Sequence, residues 1–139
     1  MTPEDARLRF AAGRVAHLAT ATAAGQPHLV PLVFAVDGDR VLSVVDAKPK
    51  RSTALRRMTN VMENPLVSLL VDHYDDDDWS ALWWVRADGT GRIHETGSAA
   101  AEASIDLLAA RYEQYKRRRP QGSVLEVDVL RWSGWSASS

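Results

Sequence analysis

The chain has 139 residues, of which 45% are hydrophobic and 25% are charged, and its formal net charge is −1. These proportions are typical of one globular domain, so we expect a single soluble domain over residues 1–139, with no charge bias towards nucleic acid or membrane. The absence of cysteine excludes disulfides, thiolate metal sites and a cysteine nucleophile. No apolar run reaches the roughly 18 residues of a membrane span, and the first residues are charged, so the sequence predicts a cytoplasmic protein without a secretory signal.

The first part of the chain predicts an antiparallel meander of three strands. Apolar and β-branched residues fill Arg14–Ala21, His28–Val36 and Arg40–Asp46, and the breaks "AAGQP" and "DGD" separate them. The dipeptide Asp37-Gly38 is the stronger turn signal, because glycine accepts the positive φ of a tight hairpin.

A short amphipathic helix is predicted in "KRSTALRRMTNVMENP". Leu55, Met58 and Met62 recur at i, i+3 and i+7, the spacing of one buried stripe, and Pro65 stops the helix. The opposite face is basic and carries Arg51, Arg56 and Arg57.

The remaining chain predicts three strands and a second helix. Leu66–His73 is a buried strand, the acidic loop "YDDDDWS" follows, and "ALWWVRADGTGRIHE" is a long strand unless Asp88-Gly89 turns it into a hairpin. The second helix, in "SAAAEASIDLLAARYEQYKRRRP", has its apolar stripe at Ile105, Leu108, Tyr112 and Tyr115. In the last strand Leu125, Val127 and Val129 alternate with Glu126 and Asp128.

About six strands and two helices in this order indicate an α+β domain dominated by an antiparallel sheet. A sheet of this size hides its edges most easily by closing into a small barrel.

A concentrated basic segment lies between the third strand and the first helix. Unpaired amides and the positive helix dipole, together with added cations and the hydroxyls of Ser52 and Thr53, make such a corner suited to phosphate. The alternative is an ordinary solvated basic helix face. The cations are Lys48, Lys50, Arg51, Arg56 and Arg57.

Five tryptophans are many for a chain of this size. Trp83 and Trp84 are adjacent on a predicted strand, so their side chains point to opposite faces and one of them faces outward, into a pocket or a partner. The alternative is simple core packing of three of the five.

The histidines His17, His28, His73 and His94 show no metal-binding spacing. The acidic loop lacks the glycine and terminal glutamate of a calcium loop, so we expect a solvated loop and no metal site. The sequence also lacks the Gly-x-Ser-x-Gly nucleophile elbow of hydrolases, a glycine-rich phosphate-binding loop and a dinucleotide-binding fingerprint.

Several stretches together resemble the pyridoxamine 5′-phosphate oxidase-like flavin-reductase superfamily, and in particular its actinobacterial branch that uses the deazaflavin coenzyme F420. The likeness runs from Arg14 to Trp135. Its most specific pieces are "ATATAAGQPHLVPL", "KPKRSTALRRMTNVMENPLVSLLVDHY" and "LWWVRADG".

The resemblance implies a homodimeric antiparallel split β-barrel, with about six strands, two to three flanking helices and cofactor sites at the subunit interface. It implies that the basic segment holds the cofactor phosphate, that strand "HLVPLV" lies along the deazaflavin ring, that "LSVVD" forms the opposite wall, and that aromatic residues cover the ring across the dimer. The implied cofactor-binding residues are His28, Val30, Pro31, Val33, Ser43, Val44, Lys48, Lys50, Arg51, Ser52, Arg56, Arg57, Trp79 and Trp84. Trp132 and Trp135 are further aromatic candidates for covering the ring.

The expected activity is hydride transfer between coenzyme F420 and a small conjugated acceptor, which requires no protein nucleophile. His28 and His73 are candidate proton donors, and no catalytic residue is assigned. The alternatives are an FMN-dependent oxidoreductase on the same fold and a non-catalytic binder of deazaflavin or tetrapyrroles. A nucleic-acid binder is the weakest hypothesis, because the basic run is short and the net charge is slightly negative.

Overall fold

The structure is a computed structural model that describes residues 1–45 and 52–138, with the backbone alone for residues 52–55. Within this part seven strands form one antiparallel sheet in the order β2-β1-β5-β6-β7-β4-β3. The strands are β1 Ala16–Ala21, β2 Pro27–Leu32, β3 Ala35–Asp37, β4 Arg40–Val45, β5 Leu66–His73, β6 Trp83–His94 and β7 Ser123–Ser136. The helices are α1 Pro3–Ala12, α2 Ser52–Glu63, α3 Ala99–Arg111 and α4 Glu113–Arg117, and a 3₁₀ turn spans Trp79–Ala81.

Helix α1 was not predicted from the sequence, although its start carries a recognisable signal. The Thr2 side chain accepts a hydrogen bond from the backbone N–H of Asp5, the Asp5 side chain accepts one from the backbone N–H of Thr2, and Pro3 begins the helix. The buried side chains of Ala6 and Phe10 then close one side of the core.

The predicted strand His28–Val36 is divided in two, because the backbone between β2 and β3 bonds outside the ladder. The Tyr112 hydroxyl accepts from the Phe34 N–H at 3.2 Å and lies 2.9 Å from the Phe34 carbonyl and 3.0 Å from that of Arg14. Helix α3 ends at the same tyrosine, whose backbone is extended, so the single predicted helix is also broken into α3 and α4.

The Asp88-Gly89 dipeptide does not make a hairpin. Strand β6 continues through it and pairs with β5 and β7, with a register shift at this point of the β6–β7 ladder. A Cβ on Gly89 would lie 2.1 Å from the Asp128 carbonyl oxygen, so the close approach of the two backbones requires glycine.

The apolar stripe of α2 is displaced from its predicted position. Val61 is buried and Met58 packs against the main core, but Met62, expected in the stripe, is 64% exposed. Asn60 is buried beside Val61, so a polar residue occupies part of the contact face.

Glu126 is buried, although the alternation of β7 predicted a solvent-facing side chain. Its carboxylate accepts from Arg40 at 3.1 Å and His94 at 3.1 Å, and it pairs with Arg92 at 2.9 Å. Burial works to raise the pKa of Glu126, but the His94 hydrogen bond and the two arginine charges outweigh it, so the pKa lies below the ordinary value of 4.5. Asp128, on the same strand as Glu126, pairs with Arg92 of β6 at 2.6 Å.

Two apolar clusters stabilise this arrangement. The larger lies inside the curved sheet and takes residues from α1, α2 and most strands, while the smaller lies beneath α3. In the part of the chain that the structure describes, no helix is both long and apolar enough to cross a membrane.

Candidate functional site

Helix α2 is held against the end of β1 by buried side-chain hydrogen bonding. Asn60 Nδ2 donates to Thr20 Oγ1 at 3.1 Å, and both residues are buried. One turn later Asn64 Nδ2 lies 3.4 Å from the Thr22 carbonyl oxygen. Because a buried amide costs free energy unless it is paired, these contacts fix the position of the helix on the sheet.

Arg57 lies one turn before Asn60, on the same face of α2. Its Nε is buried and has no hydrogen-bond partner among the described residues. Burial lowers the pKa of Arg57, and no carboxylate offsets that effect. A half-buried guanidinium without an acidic partner is a good receptor for an anion.

His28 lies at the same end of the sheet, since it pairs with Thr20 in the β1–β2 ladder. Its Nδ1 is likewise buried and unpartnered among the described residues. Two buried nitrogens, on Arg57 and His28, are therefore left unsatisfied where α2 meets the sheet. These residues fit an anionic cofactor, because a phosphate or carboxylate oxygen would satisfy a buried donor there.

The basic segment precedes α2 in the sequence. Lys48, Lys50, Arg51 and the Ser52 side chain lie outside the described residues. Arg56, the neighbour of Arg57, is exposed.

The structure places the expected ring-contacting residues on both faces of the sheet. Val30 is buried inside and Pro31 is exposed outside. Ser43 is buried, and its hydroxyl donates to the Val33 carbonyl at 2.8 Å. The Val44 side chain packs in the cluster beneath α3, and its backbone pairs with Val124 in the β4–β7 ladder.

The two adjacent tryptophans do point to opposite faces, as expected from strand alternation. Trp83 packs against the core and stacks on His73 with ring centroids 5.9 Å apart. Trp84 points outward and pairs across strands with Asp72 on one side and Trp135 on the other. Trp79 is exposed in the 3₁₀ turn, and Trp132 is buried with its indole N–H donating to Asp39 at 2.9 Å.

A cavity of about 400 Å³ lies around Trp84 on the outer face of the sheet. Its walls include Asp72, Tyr74, Trp84, Arg86 and Trp135. The guanidinium carbon of Arg86 lies 5.4 Å from the Trp84 ring centre.

The Trp84 cavity and the Arg57–His28 corner are separate within one chain. The register places Thr20 near Val67 and Trp84 opposite Asp72, so the two places are five residues apart along β5, or about 17 Å. They also lie on opposite faces of the sheet, because Val67 is a core residue and Trp84 faces outward.

Carboxylates of the acidic loop are engaged locally. Tyr74 donates to Asp76 at 2.7 Å, Asp75 accepts from the Asp77 N–H, and Asp78 caps the 3₁₀ turn. Across residues 1–45 and 52–138, no group of three histidine or acidic side chains is arranged to hold a metal ion.

The fold and the anion-receptive corner define a split β-barrel of the flavin-binding type. The family model "Pyridoxamine 5′-phosphate oxidase" matches residues 2–136, and the chain belongs to this family. No curated protein sequence matches the chain significantly.

Solved structures share the fold at low sequence identity. The conserved hypothetical protein Rv2991 from Mycobacterium tuberculosis is 22% identical, with a TM-score of 0.73 over 99% of this chain and 86% of that one. HutZ, a heme storage protein from Vibrio cholerae, is 16% identical, with a TM-score of 0.69 over 98% of this chain and 95% of that one. An FAD-binding protein from Mesorhizobium loti is 19% identical, with a TM-score of 0.67 over 96% and 94%.

The sequence alone did not predict the residues that hold α2 at the Arg57–His28 corner or those that flank Trp84 in its cavity. Asn60 and Thr20 were not predicted as site residues. The signal in the sequence was a polar residue, Asn60, on the face of the amphipathic helix that packs against the sheet. Arg86 and Asp72 flank Trp84 in the folded sheet, but Asp72 is on another strand, so only the register reveals their proximity.

Proposed function

We propose that this chain is a homodimeric oxidoreductase that binds coenzyme F420 and transfers a hydride between it and a small conjugated acceptor. Arg57 carries the proposal. It presents a half-buried guanidinium, whose buried Nε has no described hydrogen-bond partner, near the start of α2, and the only described influence on its pKa is burial. An anion bound there would neutralise the Arg57 guanidinium and accept its hydrogen bonds.

The cofactor supplies the hydride chemistry when it is bound, and the chain positions and shields it. The phosphate is assigned to Lys48, Lys50, Arg51 and Ser52, and the acidic tail to Arg56 and Arg57. The ring is assigned to His28, Val30 and Pro31 of β2, to Val33 directly after this strand, and to Ser43 and Val44 of β4. His28 Nδ1 faces no described acceptor or donor, so it is available to a polar atom of the cofactor.

The positions of the aromatic residues support the proposed dimer. Trp84 is about 17 Å along the strand from the Arg57 corner and on the other face, so it can cover a cofactor only in a second copy. The outer sheet face carries an apolar surface for that copy, with Leu29 68%, Leu66 67% and Leu130 74% exposed. A twofold axis across the strands brings each Trp84 and Trp79 towards the partner's α2 end.

Coenzyme F420 is preferred to FMN because its oligoglutamate tail needs cations beyond the phosphate. The buried Arg57 and the exposed Arg56 extend the basic segment along α2 and offer such a groove. FMN on the same corner is the alternative, since the phosphate contact is common to both cofactors.

The test is titration of the purified full-length protein with coenzyme F420 and, separately, with FMN, followed by tryptophan fluorescence quenching at one fixed salt concentration. We expect tighter binding of coenzyme F420. Arg57→Gln should weaken it by tenfold or more, the scale of one charge-assisted hydrogen bond. The matched control is Arg117→Gln on α4, which removes an exposed arginine paired with Glu113 and should leave the affinity unchanged.

Preference for FMN overturns the choice of coenzyme F420 and keeps the flavin-type site. Equal losses in Arg57→Gln and Arg117→Gln show a non-specific charge effect and overturn the site. Light scattering tests the dimer, because Leu66→Glu in the apolar surface should shift the protein towards the monomer mass.

A further inference from the structure

The cavity around Trp84 has the size and lining of a small-molecule site. Its volume of about 400 Å³ lies within the range of ligand pockets. Trp84 and Trp135 are directly opposite on β6 and β7, and Tyr74 borders the same space. Trp135 is 48% exposed, so a large flat apolar surface is left open to solvent.

Aromatic side chains paired across strands form a platform on which a flat conjugated ring can stack. An aliphatic ligand would gain no comparable contact from the indole faces. The lining therefore selects a planar conjugated molecule.

Arg86 places a positive charge at the edge of this platform. Its Nε donates to Asp88 at 3.0 Å, and no described residue accepts a hydrogen bond from its terminal nitrogens. Stacking near Trp84 at 5.4 Å holds the guanidinium in place, so its fork is preorganised for a carboxylate.

Asp72 lies beside Trp84 on the neighbouring strand β5, where it is exposed and forms no hydrogen bond with a described residue. Its carboxylate is an acceptor for an N–H or O–H group of the ligand. The aromatic platform is thus bordered by hydrogen-bond donors on the Arg86 guanidinium and by an acceptor, the Asp72 carboxylate. These two groups would fix the orientation of a stacked ligand.

We propose that this cavity binds a flat conjugated carboxylate, and that this molecule is the hydride acceptor, an assignment that rests on the proposed function. The ring stacks on Trp84 and Trp135, and the carboxylate pairs with the Arg86 terminal nitrogens. In the dimer the ligand lies between Trp84 and the partner's cofactor, so Trp84 covers that cofactor through the bound acceptor. Its conjugated double bond takes a hydride at one carbon and a proton from water at the other, so it gains two electrons while the reduced cofactor loses two.

The test uses ¹⁵N-labelled full-length protein without cofactor and the probe 2-naphthoate, with neutral 2-naphthalenemethanol as the matched ligand. The indole N–H signals of Trp84 and Trp135, assigned from single Trp→Phe variants, should shift and saturate with 2-naphthoate. The Trp132 indole, buried and bonded to Asp39, is the internal control and should not shift.

Arg86→Gln should weaken 2-naphthoate binding by tenfold or more and leave the neutral probe within twofold. Arg131→Gln, an exposed arginine opposite Asp88 on the neighbouring strand, should leave both affinities within twofold. Asp88→Asn should not weaken 2-naphthoate, which separates loss of the Arg86 charge from loss of its ion pair.

Absence of a Trp84 shift, or equal losses for both probes in Arg86→Gln, overturns the carboxylate site. Displacement of 2-naphthoate by oxidised coenzyme F420 shows that the cavity holds the cofactor and overturns the acceptor assignment. If the protein binds 2-naphthoate in an Arg86-dependent way but binds neither cofactor, the carboxylate site stands and its role as an acceptor site is overturned. Failure of the site and failure of the proposed function are therefore distinguishable.

Discussion

Arg57 provides a direct test of whether the α2 corner exists for a ligand or for the fold. The buried Nε has no described partner, and burial alone lowers the pKa of the side chain. An unsatisfied buried donor costs about 1–3 kcal/mol. Arg57→Met keeps the apolar stem and removes the guanidinium, so we expect the cofactor-free variant to be more stable by about 1 kcal/mol.

The assay is urea unfolding followed by circular dichroism in the absence of cofactor. With an m value of about 2 kcal/mol/M, a gain of that size raises the midpoint by about 0.5 M. The same variant should bind coenzyme F420 at least tenfold more weakly, so its stability should rise while its affinity for the cofactor falls.

A matched control lies one turn away on the same helix face. Asn60→Ala removes the hydrogen bond to the buried Thr20 hydroxyl and should lower stability by about 1–3 kcal/mol. If Arg57→Met loses stability as Asn60→Ala does, Arg57 supports the fold, and the argument for an anion site there is refuted.

Three further substitutions test the described contacts. Glu126→Gln should lower the free energy of unfolding by about 2 kcal/mol at pH 7, against less than about 1 kcal/mol for the exposed control Asp128→Asn. Because the folded pKa of Glu126 lies below 4.5, its contribution is complete above the unfolded pKa and is lost as pH falls through the folded one; urea midpoints at several pH values should show the difference from wild type shrinking below pH 4.5. Tyr112→Phe leaves the Phe34 N–H without its partner and should cost about 1–3 kcal/mol in urea unfolding; a loss under about 0.5 kcal/mol would contradict that role. Gly89→Ala places a Cβ 2.1 Å from a backbone oxygen and should lower the thermal midpoint, and an unchanged midpoint would show that the two strands separate freely.

The antiparallel sheet was accessible from local patterns. Most strands were predicted, because runs of β-branched residues between turn residues are a direct local signal of a strand. The outward direction of one tryptophan of the Trp83–Trp84 pair followed from the same period. Helix α1 was overlooked, although its capping box is also a local signal.

Contacts between distant parts of the chain decided the rest. The Phe34 backbone leaves the ladder because Tyr112, between α3 and α4, bonds to it. Glu126 is buried because arginines from β4 and β6 and His94 contact it. No spacing in the sequence encodes these pairs.

The sequence by itself determined the strands, the face alternation and the concentration of cations before α2, because each depends on residues close along the chain. Only the tertiary structure decided that Arg57 is buried without a partner, that Asp72 and Arg86 flank Trp84, and that the tryptophan cavity lies on the opposite face from the cationic corner. Burial and register are properties of the assembled sheet, since they depend on which strands become neighbours.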